Sequence, residues 1–579
     1  MYQINSKITD KFTKEAIGQI FKMLRLFVGK NDLVNLAIDY PPELKFGDFT
    51  LPCFALAKSF KKAPEAVASE LKEKIKPAGL IKRIKNVGPY LNFFVDKNKK
   101  SKLILNQIMK EKESYGQAKI GQGKKIMIEY ISPNTNKPLH LGHVRNALLG
   151  TSLVNLLGST GHKIIRTCLI NDRGNQISQS MAAYEVYGQG KLPDKKPDHF
   201  VGDFYVRYHQ EVKENPALAK RAKEMLLAWE KGDKEVRHLW QKMNGWFYQG
   251  FKETLKNLGI SFDKFYYESQ VYLKGKKIIS DNLKKGIFQK QDGAVVAPLE
   301  KYNLPAKVLI KSDGTAVYTT TDIYLAFQKF KDYKLTQSIY LVGSEQDLLF
   351  RQLFKILELI GFKKVKQMLH LSYGIVNLPE GKMKSREGKV VDADNLLAEL
   401  EKLSREEIIK RYSSISEKEK KNRSQKIARA ALKYFILEIN PKSEVCFEPK
   451  KSLSFTGRTG PYLLYTYARL KAILRKAKKE NKAKKIDFSG LENPIEQMLV
   501  NLLGRFPAVI VEAALVYDPS ILAKYLYSLA DQTNSFYHDL PVLQAEEKLR
   551  LARLKMIEAV SIVLKEGLAI LGIETVEEM

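Results

Sequence analysis

A chain of 579 residues is too long for one compact domain, and at roughly 150 residues per domain it holds three or four. Its 44% hydrophobic and 28% charged residues are globular values, which excludes wholesale disorder, a collagen-like chain and a membrane channel. Lysine and arginine number 97 against 64 acidic residues, and the resulting +33 points either to a polyanionic partner or to a lysine-rich surface. The three cysteines, Cys53, Cys168 and Cys446, are too far apart in sequence for a C-x-x-C metal clip or a disulfide framework. The N-terminus has no signal-peptide pattern and no run of about 18 apolar residues occurs, so the reading is a cytoplasmic protein without a membrane segment; a monomer is the expectation, though nothing in these patterns derives it.

In chain order, residues 1–115 read as a small α+β unit, with an amphipathic helix over Thr13–Val28 and a strand over Tyr90–Val95 introduced by Val87-Gly88-Pro89. From Lys124 strands alternate with helices: Ile126–Tyr130, Lys163–Ile170, Lys307–Ile310, Ser338–Val342 and Met368–Ser372. That alternation predicts a Rossmann-like, doubly wound parallel sheet over 116–450. Between about Met181 and Ala306 the strand pattern lapses into helical sequence with Trp229, Trp240 and Trp246, an insertion between two halves of the sheet. Beyond Arg423 helices dominate, over Ile427–Ile436, Tyr465–Lys479, Pro494–Leu515 and Ala545–Leu571, so 451–579 reads as a helical bundle. Nine basic residues between Arg469 and Lys485, Arg475 and Lys476 among them, form either a solvated helix face or a contact with RNA phosphates.

Two segments carry chemistry. The first strand runs through a Pro-bracketed loop, Ser132-Pro133-Asn134-Thr-Asn-Lys137-Pro, into His140-Leu-Gly142-His143. A helix beginning there offers orphan N–H groups and a dipole to an anion, and the two histidines, three residues apart, share one face. A zinc reading lacks both the Glu of H-E-x-x-H and a third ligand, so no zinc is expected. Helix-capping histidines are the plain alternative. After the last strand comes a Gly-bounded cationic loop with Lys382-Met383-Lys384-Ser385-Arg386 and Lys389, suited to neutralising a triphosphate.

These two segments resemble the HIGH and KMSKS motifs of class I aminoacyl-tRNA synthetases, and the chain as a whole is similar to the arginyl members. The likeness extends over Gly47-Asp-Phe, Val87-Gly-Pro-Tyr-Leu-Asn-Phe93, Leu169-Ile-Asn-Asp-Arg-Gly-Asn-Gln, Tyr318-Thr-Thr-Thr-Asp322, Val342-Gly-Ser-Glu-Gln346-Asp and Thr459-Gly-Pro-Tyr. The second motif departs from the pattern, with Ser385 where its second lysine belongs; relatives with such a loop use the lysine before the first motif, here Lys137. The resemblance implies an ATP- and Mg²⁺-dependent ligase that joins L-arginine to tRNA(Arg). It implies ATP contacts from His140, Gly142, His143, Lys382, Met383, Lys384 and Ser385, and catalytic roles for the histidines, Lys137, Lys382, Lys384 and Arg386.

Guanidinium is a planar fork of donors that calls for a carboxylate and planar acceptors, which Asp322, Gln346 and the phenol of Tyr318 supply. The family likeness adds Glu129, Ser132, Pro133, Asn134 and His143 to the arginine subsite. It also implies an anticodon-reading bundle and an N-terminal domain at the tRNA elbow, where Tyr90, Phe93 and Phe94 either stack an unpaired base or fill the core. The rivals are a synthetase for another amino acid on the same scaffold and a catalytically silent tRNA-binding paralogue.

Overall fold

The computed structural model describes residues 2–3, 11–377, 391–411, 415–477 and 486–579. The chain forms two compact units, one of Gly123–Gly158 with His162–Leu453, the other of Met1–Gln122, Ser159–Gly161 and Ser454–Met579.

The first unit is built on five parallel strands: β1 (Lys125–Glu129), β2 (Lys163–Ile170), β3 (Lys264–Tyr267), β4 (Gln337–Gly343) and β5 (Met368–Tyr373), in the spatial order β5-β4-β1-β2-β3. Read from β3 this is the 3-2-1-4-5 order of a doubly wound nucleotide-binding sheet, whose direction of winding reverses between β1 and β4. Tyr340 stands opposite Glu129 across that junction. Both strands are covered on both faces, which is why they read as near-continuous apolar runs rather than alternating ones. Three helices follow strands at the edge where the site forms: α1 (Leu141–Ser159), α2 (Tyr318–Tyr333) and α3 (Asp347–Leu359).

Two expectations need correction. The strand Lys307–Ile310 exists but pairs antiparallel with Ala294–Ala297, which pairs in turn with Gln289–Gln291, in a separate three-stranded sheet. Its connection from Ala297 holds only the three-residue 3-10 turn Glu300–Tyr302, and a parallel pairing needs a crossover of a dozen or more residues. The fifth parallel strand is instead Lys264–Tyr267, inside the stretch read as a helical insertion. It is a four-residue edge strand, too short to show periodicity, and the long helix Lys234–Leu258 supplies its crossover. The helix Glu417–Leu437 also belongs to this unit, packed on Ala393–Arg411.

The second unit joins an antiparallel five-stranded sheet to the C-terminal helices Gly460–Lys476, Pro494–Leu515, Pro519–Asp539 and Glu547–Ile570. Pro494–Leu515 is long and apolar enough to cross a membrane by length and composition. Its apolar character has a nearer use. It is the inner helix, its Gly504 meeting Ile104 of the helix Lys97–Glu111 and its buried Glu496 paired with Arg553 at 2.7 Å.

Candidate active site

The carboxyl ends of β1 and β4 open into a cleft of about 540 Å³, lined by Glu129, Ser132, His140, His143, Asp322 and Gln346 among others. Crevices at a switch in strand order are where open α/β sheets bind ligands.

The two histidines form a reciprocal helix cap. His140 is the residue before α1, and its Nδ1 accepts from the Gly142 N–H at 3.1 Å. The Nδ1 of His143, at the third helical position, accepts from the His140 N–H at 3.2 Å. This is the logic of a Ser/Thr–Glu capping box carried out by imidazoles. The rings lie 3.9 Å apart, centroid to centroid. A Cβ on Gly142 would stand 2.9 Å from the His140 ring, so only glycine leaves that ring in place. Because each Nδ1 is an acceptor, each ring carries its proton on Nε2. Burial, with Lys137 adding repulsion, pulls His140 down to about 3; burial, His140 and Lys137 hold His143 well below the ordinary imidazole value. The pair therefore remains neutral at physiological pH and offers N–H donors without a buried charge.

The turn after β1 is strained and held from outside. Ile131 and Ser132 have φ of 77° and 43°, costly for any residue with a side chain and more so for a β-branched one. Asn146 holds them: its Oδ1 accepts from the Ile131 N–H at 2.5 Å, while its Nδ2 donates to the Leu341 carbonyl and the Tyr373 hydroxyl. Asn171 donates to the carbonyls of Ser132 and Pro133, and Asn134 donates to Gln176, so the whole turn is fixed. One residue earlier on α1, the fully buried Arg145 donates to the carbonyls of Ile375, Pro441 and Ser443 at 2.9, 3.1 and 2.6 Å. Gly374 packs there so tightly that a Cβ would meet the Ser443 carbonyl at 2.4 Å. Arg145 and Asn146 were not singled out from sequence. Their signal is position, two and three residues after the second histidine in a mostly apolar helix.

On the other wall α2 presents Tyr318 and Asp322, one turn apart, to the cleft. Burial, with the charge of Glu129 adding to it, raises Asp322 from 3.8 to about 7 against the opposing pull of Lys329 and Lys307. Gln346 lies exposed at the mouth, on the turn between β4 and α3. Glu129, at the end of β1, is paired with the buried Lys329 at 2.7 Å. A carboxyl that sequence reading missed is Glu268. Gly275, a Cβ on which would lie 2.2 Å from the Thr320 carbonyl, lets the helix Glu268–Lys284 press against α2. Burial raises Glu268 to about 8, with Asp172 and Asp322 adding to it; the charge of Arg173 pulls the other way, with a 3.2 Å hydrogen bond to Oε1, while Oε2 has no hydrogen-bond partner among the described residues.

Lys137 lies over the Tyr205 ring at 5.9 Å, within electrostatic reach of both histidines. Lys382, Met383, Lys384, Ser385, Arg386 and Lys389 lie outside the described residues, as do the basic residues from Lys478 to Lys485. The segment after the cationic loop returns to the site: the Leu141 N–H donates to the Val391 carbonyl and the Ala393 N–H to the Leu139 carbonyl. Just beyond, Asp198, His199 and Asp394 make the one grouping of three metal-competent side chains among the described residues, and Lys196 already donates to both carboxylates.

Of the aromatics considered for RNA stacking, Phe93 is fully buried opposite Phe49 in the N-terminal sheet, so stacking on a base is not open to it. Tyr90 and Phe94 are half-buried, Phe94 beneath the Arg83 guanidinium at 4.0 Å. Arg469 packs over Tyr465 and Tyr537, Arg475 is engaged by Glu578 and the Glu577 carbonyl, and Lys476 is exposed.

Sheet order, a capping histidine pair at the switch point and a fixed turn that lines the same cleft as Asp322 make a ligand site of the nucleotide-binding kind. Comparison with known proteins refines this. A family model described as tRNA synthetases class I (R), catalytic domain, matches residues 104–448; those of an arginyl tRNA synthetase N terminal domain and a DALR anticodon binding domain match 7–95 and 463–579. An arginine–tRNA ligase of Treponema denticola is 45% identical over 563 residues, covering 94% of this chain and 95% of its own, and one of Parabacteroides distasonis is 41% identical over 92% and 94%. The structure of Thermus thermophilus arginyl-tRNA synthetase superposes with a TM-score of 0.79 at 28% identity, covering 98% of this chain and all of its own. The chain belongs to the arginyl-tRNA synthetase family.

Proposed function

We propose that this cleft activates L-arginine with ATP and then charges tRNA(Arg). The arginine carboxylate attacks the α-phosphorus of ATP, pyrophosphate leaves, and the terminal ribose 2′-OH of the tRNA takes the arginyl group from the adenylate with release of AMP. No side-chain nucleophile takes part, so catalysis rests on positioning and on stabilising charge as it develops. The Nε2–H groups of His140 and His143 donate to phosphate oxygens, and Lys137 supplies the positive charge beside them. Mg²⁺ accompanying ATP would offset the charge of the phosphates beside His140, His143 and Lys137.

The purine lies against Ile375–Asn377. Ile375 and Asn377 spend their carbonyls on Val445 and Phe447, which turns the N–H and carbonyl of Val376, the residue between them, toward the cleft. Asp322 and Tyr318 receive the guanidinium, with the buried Glu268 behind them; Gln346, which its amide suggested for the guanidinium, lies exposed at the mouth and instead joins the turn Ser132–Asn134 and Glu129 at the amino-acid end. The helices after 451 read the anticodon, and the N-terminal sheet, through Tyr90, Phe94 and Arg83, meets the tRNA elbow. The free thiols of Cys53, Cys168 and Cys446 suit a reducing cytoplasm, where we place the enzyme as a monomer.

One observation carries this reading: neutral histidine donors and a waiting carboxyl face each other across a single cleft at the switch point. Exchange of labelled pyrophosphate into ATP, with arginine and with or without tRNA(Arg), tests it. Exchange supported by another amino acid in preference to arginine overturns it.

A further inference from the structure

Lys329 is a lysine where lysines rarely sit. Its side chain is 1% exposed, beneath the cleft, with Nζ 2.7 Å from Glu129 Oε2, 4.5 Å from the centre of the Tyr340 ring and 5.8 Å from that of Tyr266. It follows Asp322 by seven residues, two turns or about 10 Å along α2, so Tyr318, Asp322 and Lys329 share one helix face. Glu129 is 6% exposed and lines the cleft at the end of the strand next to β4.

A buried ion pair is a poor way to gain stability, because apolar residues of the same volume do as well or better. This pair has another use. Without Lys329, the buried Asp322 carboxyl would face the charge of Glu129 with Lys307 as the one cation opposing it among the described residues, which disfavours its ionised form. The charged and titratable groups around them are Glu129 on β1, Tyr266 on β3, Tyr340 on β4, Lys307 on the antiparallel sheet, Glu268 on the helix packed against α2, and Lys329 itself.

We propose that Lys329 is a positioning residue of the arginine subsite: it holds the Glu129 side chain in place at the cleft wall through their 2.7 Å bond and supplies the positive charge that lets Asp322 ionise when a guanidinium arrives. The inference rests on the reading that Asp322 receives the guanidinium of arginine. Lys329 itself touches no substrate. It acts through two acids, one on each side of the strand-to-helix crevice.

The test uses the full-length enzyme with tRNA(Arg) and the variants Lys329→Met, Lys329→Arg and Asp322→Asn. Michaelis constants for arginine and ATP are measured from pH 6 to 9, and proton release on arginine binding is counted by calorimetry in two buffers. Lys329→Met is expected to raise the arginine constant tenfold or more at pH 7.5, with the ATP constant within twofold. Its arginine–pH curve moves to higher pH, and more protons are released per arginine bound. Lys329→Arg restores the curve. If Lys329→Met fails to fold, Lys329→Gln, which keeps a polar partner for Glu129 without the charge, is measured in its place, and the same arginine-selective loss and pH shift are expected. An unchanged arginine–pH curve, or equal rises for both substrates, overturns the role of Lys329. An Asp322→Asn enzyme with parental arginine affinity would instead overturn the subsite reading beneath it.

Discussion

Replacing Arg145 with methionine separates local positioning from global stability. The substitution keeps an unbranched apolar stem and removes the guanidinium that serves three carbonyls. Two of them have a second donor, since Ile375 also accepts from Val445 and Pro441 from Gly374. At about 0.5–1 kcal/mol for each of those and about 1–2 for Ser443, the loss comes to about 3 kcal/mol. Against this, burial lowers the Arg145 pKa from 12.5 to about 10, so the folded protein holds that cation at a cost of about 3 kcal/mol, which methionine relieves. The two effects nearly cancel, and the thermal midpoint should shift by no more than a few degrees. The wall Gly374–Asn377 is not compensated. Once its link to α1 is gone, Val376 no longer stands at a fixed distance from the histidine pair. The ATP Michaelis constant should rise about tenfold, or about 1.4 kcal/mol, with arginine within twofold. Hydrogen–deuterium exchange should quicken in 374–377 and 443–447. An unchanged ATP constant, or a collapse of the midpoint with both constants rising together, would refute this account of Arg145.

His140→Ala and His143→Ala should each lower adenylate formation by about 10²-fold or more while tRNA affinity by filter binding stays parental. Because both imidazoles are neutral throughout, the parental kcat profile should show no inflection from them between pH 6 and 8. The arginine Michaelis constant should fall as pH rises through about 7. Below that value Asp322 is a neutral acid that must lose its proton to pair with guanidinium, at up to about tenfold per pH unit, while the ATP constant serves as control. Glu268→Gln should raise the arginine constant about tenfold in steady-state assays, since an amide leaves the guanidinium under-neutralised; parental affinity would remove Glu268 from the subsite. Asn146→Ala releases the strained Ile131–Ser132 turn and should weaken arginine more than ATP, which paired titrations of the two substrates would show.

What the sequence determined by itself was local. Three-residue spacing puts His140 and His143 on the first turn of one helix, four-residue spacing puts Tyr318 and Asp322 on one face, and apolar runs mark β1, β2, β4 and β5. Each follows from helical or strand geometry over a few neighbouring residues. The tertiary structure decided which distant surfaces meet. It sent Lys307–Ile310 to an antiparallel sheet and recruited Lys264–Tyr267 to the parallel one, because pairing depends on crossover length rather than on strand composition. It turned Phe93 inward while leaving Phe94, one residue on, beneath Arg83, since adjacent strand residues take opposite faces and only packing selects the wet one. It brought Glu268 to Asp322 and Lys329 to Glu129 across separations that carry no periodic signal, and burial moves the carboxyls of Glu268 and Asp322 toward neutral pH.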